Sequence, residues 1–312
     1  MICCARDGVL TFAARAELLV LDVDGVLLDA RPSFHLAARE TAHWAASRAL
    51  GRDAGALPTD GDVHAFKEAG GWNDDFDLAA GLAWAMILRE LRHLPAEATA
   101  RRSAGGLPTL LEMAHALAAP DVIQKVRVPE VRERAAARYA GRAHCEELYG
   151  IDPARFPDLP EDGLFALEAE LASASLLHSC GLALALFTGR SRAETRLAVE
   201  RFQLAIPDER RIVDDGTVSR KPAPDGLLRL ATQLQRGPLV YVGDSVDDAQ
   251  AVVGYREVAA RRPLPEIVFV RVLESESVPT TEWMLTNGVD VAVSGLDEFL
   301  RALPPRHRRE DE

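Results

Sequence analysis

Residues 18–25 read Leu18-Leu19-Val20-Leu21-Asp22-Val23-Asp24-Gly25. Four apolar residues run directly into two acids spaced two apart, and a glycine follows. In an extended strand, residues two apart point to the same side, so a strand over residues 18–23 would bring both carboxylates to one point. Like charges that close repel unless a cation or a shared proton neutralises them. A metal-assisted active site is the first reading of the stretch. A strand ending in a polar Asp-Gly turn is the structural alternative, and the rest of the chain has to decide between them.

Five further short β-like runs end in polar residues, at 182–187, 211–213, 239–242, 267–272 and 289–293. From residue 182 onward they alternate with helical stretches, the pattern of a parallel sheet covered on both faces. The expected fold class is α/β, a doubly wound parallel sheet of Rossmann-like form. Between residues 29 and 162 the texture changes to helix-period segments at 33–50, 61–69, 75–91, 107–117 and 131–148, broken by prolines. Structureless connections of that length are rare in compact domains. The economical division is an α/β core of residues 1–31 and 160–312, with an α-helical domain of residues 32–159 inserted after the first strand.

Three more polar groups fall at ends of the later strands. Phe187-Thr188-Gly189-Arg190 places a hydroxyl and a glycine where a strand meets a helix, Arg220-Lys221-Pro222 presents a lysine before a helix, and Gly243-Asp244-Ser245-Val246-Asp247-Asp248 closes a strand in a second acid cluster. The carboxyl ends of the strands of an open parallel sheet form its ligand crevice, so the groups would converge on one edge. Singly, each has an ordinary explanation: Thr188 as a helix cap, Lys221 as a solvated lysine, Asp244 as a turn residue, and Asp247 and Asp248 as first-turn acids. Jointly those explanations are improbable, since two acids, a hydroxyl, a lysine and a third acid recur in order at successive strand ends.

In this order the four motifs resemble those of the haloacid dehalogenase (HAD) superfamily. They are Asp22-Val23-Asp24-Gly25, Thr188-Gly189, Lys221-Pro222, and Gly243-Asp244 with Asp247 and Asp248. The resemblance implies a phosphoryl-transfer mechanism. Asp22 would be the nucleophile that forms an aspartyl-phosphate. Asp24 would be the general acid and then the general base. Thr188, Gly189 and Lys221 would bind the phosphate. Mg2+ would be held by Asp22, the backbone carbonyl of Asp24 and Asp244, with Asp248 behind them. The acid at Asp24 marks the phosphatase and phosphomutase branches rather than the dehalogenases. The long interval from Asp22 to Thr188, against the short one from Thr188 to Lys221, is similar to subfamily IA members with a helical lid after the first motif (a C1-type cap). A phosphatase acting on a small phosphorylated metabolite is expected. A sugar-phosphate phosphomutase is the alternative, and a non-hydrolytic phospho-acceptor module the third reading.

Within the helical block, Gly70-Gly71-Trp72-Asn73-Asp74-Asp75-Phe76-Asp77 resembles a stretch of a poorly characterised subgroup of the same subfamily. It reads either as a substrate-facing loop through Trp72, Asn73, Asp74 and Asp75, or as a glycine helix stop followed by an Asn or Asp cap.

Composition bounds the partners. Net charge is -12, with 48% apolar and 27% charged residues, which fits a globular protein and argues against a general nucleic-acid or anionic-membrane binder. A phosphorylated small molecule needs only a few local cations and stays open. Lysine is scarce, at Lys67, Lys125 and Lys221 alone. The four cysteines, Cys3, Cys4, Cys145 and Cys180, form no disulfide framework or zinc knuckle, so a reducing, cytoplasmic compartment is expected. No apolar run reaches membrane-spanning length. A monomer or homodimer is expected.

Overall fold

The computed structural model describes residues 2–72, 74–234, 237–273 and 280–304. The chain divides into two compact units, one formed by Met1–Asp29 with Glu170–Glu312 and the other by Ala30–Ala169.

Among the described residues nine strands run in chain order, with β4 on the boundary between the units and the others in the first: β1 Ile2–Ala5, β2 Leu18–Leu21, β3 Leu28–Asp29, β4 Ala169–Glu170, β5 Ala183–Phe187, β6 Arg211–Ile212, β7 Leu239–Gly243, β8 Ile267–Val272 and β9 Val291–Val293. Seven form one sheet in the order β1-β9-β8-β7-β2-β5-β6, while β3 and β4 pair as a separate ribbon. Every neighbouring pair in the large sheet is parallel except β1 and β9. The antiparallel edge strand β1 lies outside the runs expected from sequence. Its segment, Ile2-Cys3-Cys4-Ala5, is half-buried throughout and carries little of the alternation that marks a strand in sequence.

Register positions the polar residues. Leu21 of β2 is level with Leu186 of β5 on one side and Val242 of β7 on the other. The residues immediately beyond these three strands therefore emerge at one edge of the sheet. Alternation sorts the apolar residues onto two faces. Leu19, Leu21, Leu186, Val240 and Val242 pack on one side, and Leu18, Val20, Ala185, Phe187 and Tyr241 on the other. A sheet covered on both faces explains why β2 reads as an unbroken apolar run.

The first strand is shorter than residues 18–23. β2 ends at Leu21, because the Val23 carbonyl accepts hydrogen bonds from Leu27 N (2.8 Å) and Leu28 N (2.9 Å) and turns the chain. Strand alternation thus does not relate Asp22 to Asp24.

The second unit is helical, with helices Leu36–Leu50, Asp60–Ala69, Asp75–Arg92, Ala96–Arg102, Leu107–Leu117, Pro120–Ile123 and Val128–Tyr149, preceded by a π-helical turn, Arg31–His35. Asp75–Arg92 is its axis, buried continuously from Leu78 to Leu88. A helix apolar all round must be enclosed by others.

The units separate at residues 29/30 and 169/170, not at 31/32 and 159/160. The second difference has a local cause in Gly141, which interrupts Val128–Tyr149 at φ 70°, ψ 172°. A Cβ there would lie 2.4 Å from Gly163 N, so only glycine admits the neighbouring backbone. Arg142 N and Ala143 N, freed from the helix, donate to the carbonyls of Pro160 (3.0 Å) and Glu161 (3.2 Å). Leu164 and Phe165 then pack with Phe34 and Tyr139. Backbone pairing remote in sequence holds residues 160–169 to the helical unit.

Candidate active site

Asp22, Thr188 and Asp244 follow β2, β5 and β7, and the register of those strands brings them to the same sheet edge. Asp22 N still donates to Val242 O (2.9 Å), so the nucleophile candidate leaves the sheet with its backbone anchored. Its side chain is buried, with Oδ1 accepting from Val23 N at 2.7 Å.

Lys221 is also buried, and its ammonium lies 2.8 Å from Asp22 Oδ2 and 2.7 Å from Asp248 Oδ1. It sits over the rings of Phe187 (5.0 Å) and Tyr241 (5.6 Å). A lysine so enclosed needs opposite charge to stay ionised. Burial alone would lower its pKa, and the carboxylates of Asp22 and Asp248 overcome that and raise it above the ordinary lysine value.

Asp248 anchors the cluster from the first turn of helix Val246–Ala259. It forms a capping box with Ser245, accepting at Oδ2 from Asp244 N (3.1 Å), Ser245 N (3.0 Å) and Ser245 Oγ (2.7 Å). Its Oδ1 accepts from Tyr241 Oη. Burial works to raise its pKa, but Lys221 and these donors win and hold it below the usual carboxylate range. The Tyr241 phenol is pushed well above its ordinary value by burial and by the adjacent carboxylates. Asp22 moves the other way, up to about 6, first through burial and then through the charges of Asp248 and Asp24, with Lys221 opposing.

Asp22, Asp244 and Asp248 offer carboxylate oxygens within 4.8 Å of one another, the cluster that could hold a metal ion among the described residues. Carboxylate oxygen is the donor that hard divalent cations prefer. With its three acids ionised, the cluster of Asp22, Asp244 and Asp248 sets three negative charges against the cation of Lys221, which touches Asp22 and Asp248. An all-oxygen donor set with excess negative charge fits a hard divalent cation such as Mg2+. Gly25 makes room for Asp244: its φ is +70°, and a Cβ would fall 1.9 Å from Asp244 Oδ2.

Thr188 is buried, its N donating to Ile212 O (3.0 Å) and its Oγ1 accepting from Arg190 N (3.2 Å). It does not cap the next helix. Ser191 does so, in a capping box with Glu194 at the start of Arg192–Arg201. Gly189 is exposed at the turn between them. Asp247 is buried one residue before Asp248 and lies outside the three-acid cluster.

Asp24 does not share Asp22's partners. Its carboxylate is paired with Arg190, whose Nη2 lies 2.6 Å and Nε 3.1 Å from Oδ1. Arg190 and Tyr241 are the residues that motif reading undervalued. Tyr241 was legible from parity, since it is level with Val20 and shares the sheet face of Phe187. Arg190 was hidden among many arginines. Nearby, Arg192 is ion-paired with Asp215 (2.8 Å) and Arg220 with Asp214 (2.6 Å).

The described residues of the candidate substrate-facing loop in the helical unit, Trp72, Asp74 and Asp75, each have structural work. Trp72 is a core residue, 1% exposed and edge-on to Phe66 at 5.1 Å, not a surface one as a substrate-facing loop requires. Asp74 caps helix Asp75–Arg92, accepting from Phe76 N (2.9 Å) and Asp77 N (3.2 Å), and is paired with Arg132 (2.9 Å). Asp75 is buried against Lys67 (2.9 Å). Asn73 lies outside the described residues. Gly70 ends helix Asp60–Ala69 and Asp74 caps the next one, as the helix-stop reading expects.

A sheet with this order and an acidic, lysine-bridged cluster at its carboxyl edge defines an α/β protein with a site of oxygen donors. The chain matches the haloacid dehalogenase-like hydrolase family over residues 16–253 and belongs to it. No curated protein matches it. Its fold is similar to that of phosphatase Tt82 from Thermococcus thioreducens, with 24% identity over 87% of this chain and 98% of that one at a TM-score of 0.59. It is also similar to a predicted phosphoglycolate phosphatase from Haemophilus somnus 129pt, with 12% identity over 92% and 97% of the chains at a TM-score of 0.51. Among the described residues no helix is long and apolar enough to cross a membrane.

Proposed function

We propose that this protein is a Mg2+-dependent phosphomonoesterase that acts on a small phosphorylated metabolite through an aspartyl-phosphate on Asp22. The observation that carries the reading is the buried Asp22-Lys221-Asp248 chain, with its 2.8 Å and 2.7 Å contacts, beside the free edge where Thr188 and Asp244 emerge. It places one candidate nucleophile against one fixed cation in a site of oxygen donors.

Asp22 attacks the phosphorus while the ester oxygen departs, and Asp24 gives that oxygen its proton. Water then attacks the aspartyl-phosphate, losing its proton to Asp24 and restoring the Asp22 carboxylate. Lys221, the Thr188 hydroxyl and the turn at Gly189 meet the charge that spreads over the phosphoryl oxygens. Asp248 and Tyr241 hold Lys221 in place. When bound, Mg2+ held by Asp22, the Asp24 backbone carbonyl and Asp244, with Asp248 in support, would neutralise phosphoryl charge and remove the repulsion among the acids. The inserted helical unit is assigned the role of a lid that excludes water and favours small substrates.

Replacing Asp22 tests the proposal. Asp22→Asn removes the nucleophile and is expected to abolish Mg2+-dependent phosphate release from an aryl phosphate. Excess chelator gives the same loss in the wild type, restored by Mg2+. Full turnover by Asp22→Asn sinks the mechanism, and full turnover in chelator sinks the metal requirement.

A further inference from the structure

Arg190 is a buried cation at the site, and the proposed reaction gives it no role. Its side chain is 1% exposed and stands against Asp24, which is 28% exposed. A guanidinium does not lose its charge in a protein, so one this enclosed needs a paired acid. Nη2 is 2.6 Å and Nε 3.1 Å from Asp24 Oδ1, while among the described residues Oδ2 has the longer 3.3 Å contact to Nε. The arginine backbone is fixed on both sides: its N donates to Thr188 Oγ1 at 3.2 Å and its carbonyl accepts from Asp214 N at 2.9 Å. A pinned guanidinium therefore holds one oxygen of the carboxyl group firmly and the other weakly.

Resting on the reading of Asp24 as the proton shuttle, we propose that Arg190 is the positioning residue for that shuttle. It fixes Oδ1 so that Oδ2 exchanges the proton with the ester oxygen and the attacking water. In the first step the Asp22 Oδ–P bond forms, the P–O ester bond breaks, and the proton passes from Asp24 Oδ2 to the departing oxygen. In the second, water oxygen bonds to phosphorus, the Asp22–P bond breaks and the water proton returns to Oδ2. Arg190 touches neither reacting atom in this scheme and acts through Asp24.

Such a role has a signature that simple structural support or phosphate binding lacks. Esters with poor leaving groups need protonation of the departing oxygen, whereas p-nitrophenolate leaves well without it. Arg190→Met is expected to lower kcat/KM for a simple alkyl phosphate by about 100-fold, the scale of general acid catalysis, and that for p-nitrophenyl phosphate by no more than about fivefold. Asp24→Asn should show the same split in kcat/KM, which reads the step that releases the alcohol, while its kcat falls on both esters because the water step has lost its base. Adding Arg190→Met to Asp24→Asn should cause no further loss on the alkyl ester, because residues acting as one unit are not additive.

Equal losses on both esters, a loss confined to KM, or multiplied losses in the double variant would overturn the proposal. If Arg190→Met does not fold, Arg190→Lys carries the same test. It keeps the buried charge without the planar fork, and a smaller split is expected from it; equal losses on both esters count against the proposal. The underlying reading fails separately: Asp24→Asn without a leaving-group split removes the shuttle itself. A split in Asp24→Asn that is absent from the Arg190 variants removes only the role of Arg190.

Discussion

Replacing Lys221 with methionine keeps most of the stem and deletes the ammonium, which leaves Asp22 and Asp248 buried side by side without their shared cation. Breaking a buried ion pair from one side costs about 3–5 kcal/mol, because a charge is stranded rather than removed. That cost exists only while both acids are ionised. In the wild type the depressed pKa of Asp248 stabilises the fold above its unfolded value, and this stabilisation is lost as pH falls. Asp22, already raised to about 6, favours the fold at low pH and loses that contribution as pH rises through 6. Without Lys221 both acids shift upward, so the deficit of Lys221→Met should grow with pH. Urea denaturation in chelator is expected to give a loss of about 3–5 kcal/mol at pH 7.5, shrinking to roughly 1–2 kcal/mol at pH 4.5, where the pair takes up a proton. In thermal melts this is a drop of about 10 °C at pH 7.5, at roughly 2–4 °C per kcal/mol for a unit of this size. Saturating Mg2+ should recover part of it by supplying positive charge. A loss that is equal at the two pH values, or below about 1 kcal/mol at pH 7.5, would refute the view that Lys221 neutralises a buried acid pair.

Three other outcomes follow from the same geometry. Mg2+ affinity, measured by calorimetry, should fall by up to about tenfold per pH unit below 6, since the cation must displace a proton from Asp22; binding that is flat between pH 5 and 7.5 contradicts the raised pKa. Gly25→Ala, at φ +70° and with its Cβ 1.9 Å from Asp244 Oδ2, should lose about 1–3 kcal/mol in a thermal melt and weaken Mg2+ binding, whereas unchanged affinity would remove Asp244 from the metal set. Trp72→Ala should destabilise the helical unit by about 3–5 kcal/mol without altering the ranking of substrates in a phosphate-ester panel; a changed ranking in a fully folded variant would restore the substrate-facing reading.

How much of this was legible varies by the range of the physics involved. The two-face burial of β2 appears in sequence as an unbroken apolar run, because a central parallel strand has no polar side to show. Three of the four polar motifs are visible because each sits just beyond a strand end, whereas Lys221 lies in the loop between β6 and helix Asp225–Ala231, away from any strand end. The helices Leu107–Leu117 and Asp75–Arg92 stand at, or within one residue of, the spans their periodicity predicts. Residues 160–169 were less legible: their attachment to the helical unit depends on the Gly141 kink and on backbone bonds that leave no periodic trace.

The linear chain determined the α/β class, the inserted helical block and the identity of the polar residues at the strand ends, since these follow from local periodicity and turn chemistry. Tertiary structure alone decided their pairing. Asp22 meets Lys221 and Asp248, Asp24 meets Arg190, and Trp72 goes to a helical core. The reason is that an ion pair depends on where side chains lie in space and on how little water reaches them. Neither quantity is encoded in the spacing of Asp22 and Asp24.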